Sequence, residues 1–173
     1  MNRPRILLAC IGNIFLGDDG FGVEVARRLA FQPLPPDVTV KDFGIRGFDL
    51  AYALMEPYEL TILVDACARG GVPGTIYLIE PDPVSPMVND DESHPGLELH
   101  GMNPMNVRRM VKSLGGTPGR MLIVGCEPAQ LGSEHDGQFG LSEPVKAAVE
   151  EAIPLIESLV SKVLEGEPLT LST

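Results

Sequence analysis

Two adjacent aspartates, Asp18 and Asp19, lie among four glycines, Gly12, Gly17, Gly20 and Gly22. A third carboxylate, Asp65, closes the most apolar run of the chain, LTILV at 60–64, where an unpartnered charge would be costly to bury. A histidine, His100, sits in ELHGMN at 98–103. Carboxylate oxygens and an imidazole nitrogen drawn from separate segments form a donor set for a divalent cation. Nickel, zinc, manganese and iron all suit it, and the set alone does not choose among them. A plainer reading is also open. Asp18 or Asp19 caps a helix whose first amides and dipole favour an acid, Asp65 bonds neighbouring amides, and His100 is solvated.

Other chemistry is poorly supplied. There is no HExxH and no GxSxG, so neither a zincin helix nor a nucleophile elbow is written here. A dinucleotide loop would need GxGxxG, yet Cys10 stands where its first glycine would be. Cys10 and Cys126 fall in strand-like runs and Cys67 follows one, which predicts buried, unactivated thiols. Their spacing contains no CxxC and points to a reducing compartment. His94 and His135 lie in polar stretches and read as solvated.

The elements that must position these residues follow from periodicity. ILLACI at 6–11 reads as a buried strand, and Val23, Ala26, Leu29 and Ala30 predict one face of a following helix. Strands are expected at 38–43, at 60–64, at 75–79 and at 120–126. The short link from 65 to 74 favours an antiparallel strand at 75–79. A short helix is expected at 48–55, stopped before Pro57. Another follows Asn103, with Met105, Val107, Met110, Val111 and Leu114 inward. The last helix starts at Ser142 as cap, with Pro144 in its first turn; Val145, Val149, Ile153, Ile156 and Val160 form its inner face, and Pro154 should bend or split it. Residues 80–98, rich in Pro, Asp and Ser, and residues 127–140 read as long loops; the first is a candidate substrate-contacting rim. Beyond 165 a frayed tail is expected.

Alternation of strands and helices predicts one α/β domain spanning 1–173. It should be a three-layer α/β/α sandwich with a mostly parallel, twisted sheet of about five strands, one of them antiparallel. At 173 residues and 44% hydrophobic the chain can bury one substantial core. Thirteen basic and 24 acidic residues give a net charge of -11 and a pI near 4.6, which disfavours nucleic acid. No run approaches the roughly 18 apolar residues of a membrane span, so a cytoplasmic protein without membrane insertion is expected.

Taken together, IGNIFLGDDGFG at 11–22 closely resembles the signature of the hydrogenase maturation endopeptidases, which trim the C-terminal tail of nickel-iron hydrogenase large subunits. ILVDA at 62–66, Pro73-Gly74-Thr75, His100-Gly101 and VGCEP at 124–128 continue the resemblance in order along most of the chain. The resemblance implies an aspartic-type endopeptidase in which Asp19, Asp65 and His100 are both the catalytic set and the metal ligands. Asp19 is the second acid of its pair and stands where some members have Glu; its shorter side chain would draw the metal toward the helix end. Asp18 is left as the helix-starting residue. The implied partner is the large-subunit precursor of a nickel-iron hydrogenase. The metal is substrate-borne nickel, for which other divalent ions can substitute. The metal would either polarise the carbonyl or activate water, or the triad would mainly read nickel while a carboxylate assists the water. The rivals are a non-catalytic chaperone that checks nickel and a small-molecule hydrolase on the same layout.

Overall fold

In the computed structural model, the residues described are 4–82, 104–132, 137–169 and 171. The order is β1 (Ile6–Ile11), a short 3-10 helix (Asp18–Gly20), α1 (Phe21–Leu29), β2 (Val38–Gly44), α2 (Gly47–Ala53), β3 (Leu60–Ala66) and β4 (Ile76–Ile79). Then come α3 (Pro104–Ser113), β5 (Arg120–Cys126) and α4 (Glu143–Leu164). The sheet runs β2-β1-β3-β5-β4, parallel throughout except where β4 meets β5.

Two apolar layers explain why β1 has no polar residue. Ile6, Leu8 and Cys10 face a core built with α1 and α4. Leu7, Ala9 and Ile11 face a second core built with α2 and α3. All six side chains of β1 are buried, as a central parallel strand covered on both faces requires. The three layers and the mixed sheet agree with the expectation from sequence.

Several local expectations need correction. The antiparallel strand does not lie beside β3: β5 inserts between them, so β4 is an edge strand. On α1 the buried face is Phe21, Val25, Ala26 and Leu29, while Val23 is half-buried and Ala30 exposed, because the helix starts at Phe21 and sets its own phase. Leu114 falls beyond the end of α3 and is 44% exposed. Helix α4 is not split by Pro154; it continues as one 22-residue helix, with Val145, Val149, Ile153, Ile156 and Val160 inward as expected. Most of the long loop at 80–98, together with Asn103, His94, His100 and His135, lies outside the described residues. Among the described residues no helix is long and apolar enough to cross a membrane.

Candidate active site

The carboxyl ends of parallel strands gather at one edge of the sheet, and ligands in open α/β sheets bind there. Here the loops leaving β1, β3 and β5 meet at that edge. Gly12 follows β1 with φ 148, and a Cβ on it would overlap the carbonyl oxygen of Asp19. This glycine therefore lets the chain after β1 fold back against the 3-10 helix. Gly22, in the first turn of α1, is pressed against the carbonyl oxygens of Ile11 and Val64, and a Cβ there would overlap both. The 3-10 helix thus touches the end of β3. Asp19, just before this contact, and Asp65, just after Val64, are brought to the same edge.

Asp19 is buried, at 1% exposure, and its Oδ2 accepts the amide of Asn13 at 2.9 Å. The turn is closed a second time by Asn13, whose Oδ1 accepts the amide of Phe15 at 3.0 Å. Asp65 is half-buried, and its Oδ1 accepts the amide of Ala66 at 2.8 Å. Each carboxylate has one oxygen oriented by main chain. Among the described residues no three of His, Cys, Asp and Glu gather as a metal-holding group. The third member expected from sequence, His100, lies outside them.

Asp18 has a different job from the one expected. It does begin the 3-10 helix, but its carboxylate bonds to other segments of the chain. Fully buried, it accepts the amides of Ala129 and Gln130 at 2.8 and 2.9 Å, and the amide and hydroxyl of Ser142 at 2.7 and 2.9 Å. Ser142 accordingly makes no side-chain cap on α4, because its hydroxyl is turned to Asp18. One carboxylate ties the first loop to the segment after β5 and to the head of α4. No local pattern signals such a bond between residues so far apart in the chain.

A third buried carboxylate, Glu127, lies in the VGCEP motif, from which no role for it follows. At 4% exposure it accepts the Arg69 amide at 2.8 Å, the Gly70 amide at 3.2 Å and the Tyr77 hydroxyl at 2.7 Å. Burial alone would push its carboxyl up; bonds from Tyr77 and from the amides of Arg69, Gly71 and Gly70 outweigh this and hold it below the ordinary carboxylate range.

The thiols are unsuited to attack. Cys10, Cys67 and Cys126 are free and buried. Burial, followed by the charges of Asp42 and Asp65, drives the Cys10 thiol far up. Burial pushes Cys67 and Cys126 up to about 12 each. All three stay protonated at neutral pH, and a thiol is a poor nucleophile.

The family model described as hydrogenase maturation protease, HycI, matches residues 23–159. A putative hydrogenase maturation protease from Methanocaldococcus jannaschii is 33% identical over 168 residues, covering 94% of this chain and 100% of the relative. The chain belongs to the hydrogenase maturation protease family. It is thus a member of a family of peptide-bond hydrolases. The [NiFe] hydrogenase maturation protease HycI from Thermococcus kodakarensis matches with a TM-score of 0.64 and 26% identity, covering 92% of this chain and 94% of that one. The hydrogenase maturating endopeptidase HybD from E. coli has the same fold, with a TM-score of 0.71 at 24% identity over 91% of this chain and 93% of that one. In this protease the glycine-rich acidic motif at 11–22 precedes the span matched by the family model, so its reading rests on the loop geometry above.

Proposed function

We propose that this protease removes the C-terminal tail of the large-subunit precursor of a nickel-iron hydrogenase, reading the substrate-borne nickel with Asp19, Asp65 and His100. The observation that carries this reading is the convergence of the Asp19 and Asp65 loops on one sheet edge, held there by the close approach of Gly22 to the ends of β1 and β3. The donor chemistry fits: two carboxylates oriented by amides, with an imidazole expected from the segment before α3. Asp19 and Asp65 would hold the ion, which when bound polarises the scissile carbonyl or lowers the pKa of a water. The protein's own residues orient the two carboxylates and keep nearby thiols protonated, so hydrolysis by water is favoured over a thioester route. The exposed phenylalanines Phe15 and Phe139 pack edge to face at 5.3 Å between centroids, on the same loop as Asp19 and its bridged neighbour. They offer apolar contact to a protein substrate. The compartment this reading implies is the cytoplasm.

Incubating purified protein with nickel-loaded and nickel-free precursor tests the reading. Tail loss from the loaded form alone is expected, and intact loaded precursor would refute it. Asp19→Asn and His100→Ala should each abolish tail loss while leaving the thermal transition in place; retained cleavage would remove that residue from the site.

A further inference from the structure

The link from β3 to β4 carries Asp65 at its root and is exposed from Arg69 to Pro73, yet it is fastened along its length to the two residues that end and follow β5. The Cys67 amide donates to the Cys126 carbonyl at 2.8 Å. The Glu127 carboxylate takes the amides of Arg69 and Gly70 and the hydroxyl of Tyr77. The Gly74 amide donates to the Glu127 carbonyl at 2.8 Å, and the Glu127 amide donates to the Thr75 carbonyl at 2.9 Å. Just beyond, the amides of Ala129 and Gln130 hold Asp18, the neighbour of Asp19. The segment 127–130 therefore grips both loops that carry the candidate ligands.

We propose that Glu127 is a positioning residue for the reaction, and that the segment 127–130 is a brace that sets the separation of Asp19 and Asp65. This rests on the site reading given under Proposed function. Several features support a role beyond local packing. A carboxylate buried to 4% exposure gathers donors from an exposed loop that water could otherwise solvate. Burying that charge is costly unless its bonds are all made, so the loop is held to one conformation. Gly71 confirms how closely the parts fit: a Cβ there would overlap the Tyr77 hydroxyl and lie 3.5 Å from the Glu127 carboxylate. Outer residues that orient ligands commonly change affinity or activity by about 10- to 100-fold when removed.

The test compares Glu127→Ala and Glu127→Gln with wild type by two readouts. The first is hydrogen exchange at Ala66, whose amide is bonded to Asp65 Oδ1, and at Arg69 and Gly70. The alanine variant should exchange at least about tenfold faster at all three positions, with the strand amides of β1 unchanged. The glutamine variant, which keeps one acceptor oxygen but turns an NH2 donor toward the other donors, should fall between alanine and wild type. The second readout is tail cleavage of nickel-loaded precursor. Here Glu127→Ala should lower kcat about tenfold or more with KM nearly unchanged, and Glu127→Gln, with one acceptor restored, should recover part of the loss. Faster exchange at Arg69 and Gly70 with unchanged exchange at Ala66 would overturn the proposal, since the loop would then move without Asp65. So would wild-type kcat in the alanine variant. If wild type itself fails to cleave loaded precursor, the functional reading falls and the Ala66 result still judges the brace. Gly71→Ala supplies a second variant that leaves the carboxylate in place; it should reproduce the exchange pattern by displacing Tyr77, and a wild-type pattern would count against the brace.

Discussion

Asp18 and Asp19 are identical in chemistry and adjacent in sequence, but their surroundings give them unrelated work. The Asp18 carboxylate is satisfied by three amides and a hydroxyl drawn from two other segments, so its removal leaves buried donors without acceptors. Asp18→Ala should cost about 3 kcal/mol in urea unfolding, well above a typical surface change. The resemblance assigns Asp19 to the site and leaves Asp18 to start the helix, and nothing in the motif discloses the partners of Asp18. Those partners, Ala129, Gln130 and Ser142, contribute mainly backbone amides, which no residue type announces. No role for Glu127 follows from the sequence for the same reason: apart from the Tyr77 hydroxyl, its donors are amides of an exposed loop. The thiols, by contrast, were legible, since apolar neighbours imply burial and burial implies a neutral sulfur. Their titration has a direction. An unfolded thiol ionises near 9, but Cys67 and Cys126 hold their protons in the native state up to about 12. Between those values the unfolded state sheds protons that the native state keeps, so stability is full below pH 9 and falls as pH rises through the window. Urea midpoints at pH 8 and pH 10 should show the decline, and Cys67→Ala should flatten part of it.

The elements were read more securely than their joints. Every strand and helix among the described residues lies within a few positions of its expected place, because a buried parallel strand and an amphipathic helix each carry their own period. What periodicity could not say is how closely two elements approach. Gly22 lies on α1, where an alanine would ordinarily favour the helix by about 1 kcal/mol. Here the added methyl would meet the carbonyl oxygens of Ile11 and Val64, which belong to strands and cannot swing aside. Gly22→Ala should therefore destabilise by about 2–3 kcal/mol and also move Asp19 relative to Asp65, seen as a lower melting temperature with weakened cleavage. Pro154 runs the other way. It interrupts the hydrogen-bond ladder of α4 on an exposed face, and neighbouring Ile153 and Ile156 are held by the core. Pro154→Ala restores a donor and should raise stability by about 1–2 kcal/mol in the same unfolding assay.

At the scale of the whole molecule, the apolar side chains left outside are informative. Ile14 and Phe15 at 49% and 53% exposure and Phe139 at 74% lie on segments bridged to one another beside the Asp19 loop. Phe139→Ser should leave the unfolding midpoint nearly unchanged and raise KM for precursor by about tenfold with kcat retained, as loss of docking area predicts. A fall in kcat alone would assign the pair to the chemistry instead. The strand order has its own consequence in the time domain. β4 leaves the ribosome well before β5, yet β5 is the strand with which it pairs, and the residue just after β5, Glu127, makes the bonds that fix the link behind Asp65. A nascent chain halted before residue 120 would carry both aspartates, an unmated edge strand and no brace. Competence for the site therefore waits on the segment that follows β5, and chains halted before it would be inert rather than partly active.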